Sequence, residues 1–158
     1  MKYLLAILFI LNSSWLLASS KLIPFTTDYC TGYPEGTLAQ PGLWSKCCVE
    51  HDLYLWAGGS KNDRKQTDQR LRKCVAATGA SLHSQLIYLG VRLGSYSPLK
   101  FKGKDWGNGW NPRRSNFALS QSEILTIEEF LKDNPPSALS NLEVDGFIAN
   151  LKNRKERQ

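Results

Sequence analysis

Cys47-Cys48-Val49-Glu50-His51-Asp52 sets a proton acceptor and a hard-cation ligand side by side, directly behind two cysteines. The stretch reads as helix. About one helical turn separates Cys47 from His51, and the same turn separates Cys48 from Asp52. Each cysteine therefore shares a face with one functional side chain. Neighbouring residues on a helix point about 100° apart. Bridging both cysteines would fix the imidazole and the carboxylate on a rigid rod and aim them differently. That suits a histidine base beside a calcium carboxylate.

Two further segments complete the chemistry. Asp68 falls in the next helical stretch, where a buried carboxylate facing His51 would fix the imidazole tautomer and stabilise the imidazolium. The alternative is an exposed Asp68 paired with Arg64 or Arg72 one turn away. The loop Cys30-Thr31-Gly32-Tyr33-Pro34-Glu35-Gly36 carries glycines that let backbone carbonyls turn toward one point. Carbonyls of Thr31, Gly32 and Gly36 together with Asp52 make an oxygen set, and calcium takes about six to eight oxygens in flexible geometry. Calcium would polarise an ester carbonyl while His51 activates a water.

The elements that must position these groups are mostly helices. Thr26 to Gly42 has no periodicity and reads as loop. Ser45 is placed to cap a helix running to about Ala57, which Gly58-Gly59-Ser60 stops. A second helix starts at Asn62 or Asp63 and runs to Gly79, antiparallel to the first. On an ideal helix Asp68 and Cys74 lie about 120° apart, so both reach the first helix only by flanking the seam. A third helix spans Ser81 to Leu93, with Leu82, Leu86, Leu89 and Val91 apolar. Gly94 to Asn116 is irregular. A fourth helix starts at Thr126, with Glu128 and Glu129 in its first turn, and stops at Asn134-Pro135-Pro136. A last amphipathic stretch runs from Ser140 to Leu151, followed by a basic tail, Lys152 to Gln158. There is almost no strand signal and no internal repeat.

The chain has 158 residues, four cysteines and a net charge of +6. Lys2, the apolar run Leu4 to Leu11 and the small residues near Ser19-Ser20 form a secretory signal pattern over residues 1–20, with an uncleaved anchor as the alternative. The rest, 21–158, has the size of one domain. No later stretch is apolar enough to cross a bilayer. An exported compartment, periplasmic or extracellular, permits disulfides. Four cysteines allow three pairings, of which the adjacent pair is the most strained. A zinc site is the weaker alternative, because paired C-x-x-C spacing is absent. The positive charge attracts anionic surfaces, and no nucleic-acid fold signature accompanies it. Trp106-Gly107-Asn108-Gly109-Trp110 follows Lys100, Lys102 and Lys104, and is either a membrane-interface patch or a loop packed on the core by its indoles. Trp44 and Trp56 read as core, and His83 as structural or exposed.

The double cysteine followed two residues later by His51-Asp52 resembles the secreted phospholipase A2 superfamily. Asp68 lies six positions before Cys74, as the supporting aspartate of that family precedes its cysteine, and Cys30 is placed to open a calcium loop about twenty residues before the histidine. The resemblance covers roughly residues 28–75. It implies bridges Cys30–Cys48 and Cys47–Cys74, and a mostly α fold: a disulfide-linked antiparallel helix hairpin with a calcium loop, plus additional helices. The core would be 28–94, with a C-terminal extension over 95–158. It implies calcium-dependent hydrolysis of the sn-2 ester of glycerophospholipids at a membrane surface or micelle. His51 would be the base, Asp68 its orienting partner and Asp52 the calcium ligand, with no obligate protein partner. The loop departs from the animal pattern, with Thr31 after Cys30 and Pro34 between the glycines. Leu55 stands where the animal enzymes carry a tyrosine, and Tyr54 is one position earlier. The low cysteine count suggests a microbial relative. A non-catalytic, lipid-binding or toxin-like module on the same scaffold is the alternative.

Overall fold

A computed structural model describes residues 21–96, 105–114 and 116–155. The signal segment 1–20, the lysines at 100, 102 and 104, and residues 156–158 of the basic tail lie outside them. Five helices carry the fold: α1 (Ser45–Ala57), α2 (Lys61–Ala77), α3 (Ser81–Tyr96), α4 (Gln121–Asp133) and α5 (Asn141–Lys155). Two short strands, β1 (Lys21–Leu22) and β2 (Trp110–Asn111), pair antiparallel.

Helix boundaries follow capping chemistry. Ser45 is the first residue of α1 and not its cap; Trp44 holds that position without a side-chain cap bond, and Ser45 Oγ donates to Gly42 O. Ser60 caps α2 through a reciprocal box with Asp63, which starts the helix at Lys61, ahead of the expected residue. Ser120 and Glu123 form the same box on α4. That helix therefore begins at Gln121, five residues before Thr126.

Helix α1 is buried nearly all round, with ten of its residues inaccessible, which explains why it shows little amphipathic pattern. One side joins Trp44, Cys47 and Cys48 to Leu71 and Val75 of α2 and Ile87 of α3. The other joins Leu53, Tyr54, Trp56 and Ala57 to Ile124, Ile127 and Leu131 of α4 and to Phe147, Ile148 and Leu151 of α5. The region after Gly94 thus supplies a second wall for the helix that carries His51 and Asp52.

Trp106 and Trp110 are corrected from the interface reading. Each is only 5% exposed, and their indole N–H groups donate to Gly59 O and Ala57 O. The segment between them closes the end of α1. The last four carbonyls of a helix lack intrahelical donors. Here Tyr54 O accepts from Gly58 N, Leu55 O from Gly107 N, Trp56 O from Gly109 N and Ala57 O from the Trp110 indole. Gly109 must be glycine, because a Cβ there would sit 2.5 Å from Trp56 Nε1.

Helices α2 and α3 run antiparallel, as the pairs Asp68–Arg92 and Arg72–Tyr88 show. The face of α3 turned inward carries Ser84, Ile87 and half-buried Val91. Leu82, Leu86 and Leu89, apolar positions of the expected amphipathic pattern, face outward.

Candidate active site

The centre of the site is His51, in the middle of α1 and 7% exposed. Its Nε2 lies 2.9 Å from Asp68 Oδ1, across the seam between α1 and α2. A carboxylate accepts, so Nε2 carries the proton and Nδ1 is the basic nitrogen of the neutral ring. Among the described residues Nδ1 has no hydrogen-bond partner.

Asp68 is 1% exposed, and an ion at that depth needs donors on both oxygens. The second donor is Arg92 of α3, whose guanidinium lies 2.8 Å from Asp68 Oδ2. Sequence reasoning missed this residue. Arg72 does not take the alternative i,i+4 role and packs over the Tyr88 ring instead. The available signal was that Arg92 is the single Lys, Arg, Asp or Glu on α3.

Two disulfides fix this geometry. Cys47–Cys74 ties α1 to α2 with a Cα separation of 5.7 Å, and Cys30–Cys48 ties the loop to α1 at 5.1 Å. Asp68 and Cys74 thus flank the seam as their helical spacing requires. No cysteine is free, which removes the thiolates a zinc site would need.

Asp52 is nearly buried and turns toward the loop, where its Oδ2 accepts from Thr27 Oγ1 at 2.8 Å. Thr27 Oγ1 in turn accepts from Tyr29 N, and Asp28 Oδ1 accepts from Thr31 Oγ1. Tyr29 has φ 63°, a left-handed conformation that a bulky residue adopts only when its surroundings impose it. The loop's carbonyls at Tyr29, Cys30, Pro34 and Glu35 accept internal hydrogen bonds. The expected carbonyl donors Thr31, Gly32 and Gly36 are not among those acceptors. Gly32 turns the chain at φ 68°. Gly36 has a packing reason to be glycine, because its Cβ would stand 2.1 Å from Gln40 O. Among the described residues no group of three or more His, Cys, Asp or Glu side chains gathers as a metal cage.

The neighbours of the site are structural. Tyr54 packs with the α4–α5 core, its ring against Phe147. Burial raises its phenol pKa, opposed by Arg70 and Arg154 beside the ring. His83 Nδ1 bonds the Tyr33 hydroxyl and its ring lies on Trp44, fastening the loop to α3. Trp44 and Trp56 are core residues.

Compared with protein families, curated proteins and solved structures, the chain matches none.

Proposed function

We propose that this protein is an exported, calcium-dependent, phospholipase A2-like hydrolase that cleaves the sn-2 ester of glycerophospholipids. The observation that carries the reading is the buried pair of His51 Nε2 and Asp68 Oδ1 at 2.9 Å, with Asp52 next to His51 and turned to a different neighbour. His51 Nδ1 takes a proton from the attacking water. Asp68 keeps the ring oriented and stabilises the imidazolium, and the proton then passes to the departing glycerol oxygen. Water attacks the ester carbon directly, so no acyl group is transferred to the protein.

Asp52, with carbonyls of Thr31, Gly32 and Gly36, would hold the ion, an all-oxygen donor set of the kind that suits calcium. Bound calcium supplies a Lewis acid for the ester carbonyl and its developing negative charge. Both disulfides fit an oxidising compartment. Among the described residues no helix is long and apolar enough to cross a membrane.

One observation favours the non-catalytic alternative: Thr27 already occupies an oxygen of Asp52, in competition with a cation. Release of fatty acid from an sn-2-labelled phospholipid decides between the two. Release is expected with calcium, and neither with chelator nor in His51→Gln. Release that survives chelator ends the calcium mechanism. No release from the parent with calcium leaves the non-catalytic module.

A further inference from the structure

The outward face of α3 is a leucine stripe that no other described residue covers. Leu82, Leu86, Leu89 and Leu93 are 71, 47, 55 and 71% exposed. Their spacing puts all four within an arc of about 60°, along a line about 16 Å long. Gly90 and Gly94 stand beside them, and, the helix's own backbone aside, no atom of the described residues lies within 4 Å of where a Cβ would sit on either. A soluble surface seldom gathers large apolar side chains in one row without a partner.

The charge around the stripe selects the partner. Helices α2 and α3 carry seven basic residues and two acidic ones, Asp63 and Asp68, and both acids are buried. Every accessible charge on this hairpin is therefore a cation: Lys61, Lys65 and Lys73 are exposed, and Arg72 is half-buried. The hairpin holds +5 of the chain's +6, seven less two set against the whole. A second copy would bring the same positive face and be repelled. An apolar row on a cationic helix pair suits an anionic lipid surface, where the leucines enter the acyl boundary and the cations meet phosphates.

We infer that the Leu82–Leu93 face of α3 is the surface by which this protein docks on anionic phospholipid bilayers. This rests on the proposed function and deepens it by naming the surface that meets the lipid, on the same helix whose Arg92 holds Asp68. Docking itself needs neither calcium nor turnover.

The test is sedimentation of the exported protein, residues 21–158, with vesicles of phosphatidylglycerol or of phosphatidylcholine, in chelator. The parent is expected to bind phosphatidylglycerol at least about tenfold more tightly, and Leu86→Ser/Leu89→Ser to lose at least about tenfold of that affinity. The double variant should keep the parent's melting temperature and its rate on a dispersed short-chain phospholipid. Leu89→Trp in the same 21–158 protein, which lacks Trp15, gives a second reading: brominated lipid should quench its emission, since Trp44, Trp56, Trp106 and Trp110 are buried. Equal binding to both vesicles, unchanged binding by the double variant, or no quenching at position 89 overturns the proposal. So does a parent dimer that the double variant splits, which gives the stripe to a second copy. Vesicle binding without hydrolysis sinks the proposed activity and leaves this surface standing. Hydrolysis of dispersed substrate without leucine-dependent docking does the reverse.

Discussion

Arg92 reaches back 24 positions along the chain to place its guanidinium 2.8 Å from Asp68 Oδ2. Asp68 gives its other oxygen to His51, so one buried carboxylate joins three helices. The imidazole is held by a carboxylate that is itself held, and it cannot turn without breaking a charged contact.

Removing that contact should harm both fold and rate. Arg92→Met leaves a buried carboxylate with one donor fewer, at an expected cost of about 2–3 kcal/mol in urea unfolding. Hydrolysis should slow with it, as Asp68 loosens. Arg92→Lys keeps the charge and should recover part of both losses. A methionine variant as stable and as fast as the parent would remove Arg92 from the account.

The two disulfides should fail differently. Cys47→Ser/Cys74→Ser frees α2 from α1 and should lower stability by about 3–4 kcal/mol. Its maximal rate should fall, because the His51–Asp68 distance is no longer imposed from both ends. Cys30→Ser/Cys48→Ser frees the loop, and should chiefly raise the calcium concentration needed for half-maximal rate. Calcium titrations of both variants check this, and identical profiles would contradict it.

A pH effect is expected far from the site. Burial pushes the Glu123 carboxyl up, but the Arg114 guanidinium and the Ser120 donors outweigh it and hold its pKa below the ordinary 4.5. A depressed carboxylate stabilises the fold above that value, and the contribution is lost as pH falls through the folded-state pKa. Glu123→Gln keeps the capping-box geometry but loses the charged contact with Arg114, and should be about 1 kcal/mol less stable at neutral pH. The gap from the parent should narrow below 4.5. Melting temperatures of both proteins from neutral pH to about pH 3 measure it, and a gap that widens on acidification would contradict the assignment.

The site was legible where its residues are local. His51, Asp52 and the cysteine pair share two turns of one helix, and Asp68 keeps a fixed spacing to Cys74 within another. Their contact is across helices, but the Cys47–Cys74 bridge enforces it. Arg92 was not legible, because its partner is chosen by the packing of α3 and not by spacing. Trp106 and Trp110 were ambiguous for a chemical reason: an indole with its N–H satisfied is equally at home at a lipid headgroup or over a helix end. Periodicity found the leucines of α3 but could not say which of two apolar faces looks inward. Ile87 and Val91 took the core, and the larger row was left outside. The start of α4 was misread because Glu128 and Glu129 resemble a first turn, while Ser120 and Glu123 make the actual cap.

Calcium calorimetry combined with sn-2 hydrolysis, on Asp52→Asn and Asp68→Asn side by side, tests the central division of labour most directly. Asp52→Asn is expected to lose both calcium binding and fatty acid release. Asp68→Asn is expected to bind calcium within about twofold of the parent while its rate falls at least about a hundredfold. An Asp52→Asn protein that binds calcium and hydrolyses lipid like the parent, or an Asp68→Asn protein that loses calcium instead of rate, would contradict the assignment of ion to one carboxylate and imidazole to the other.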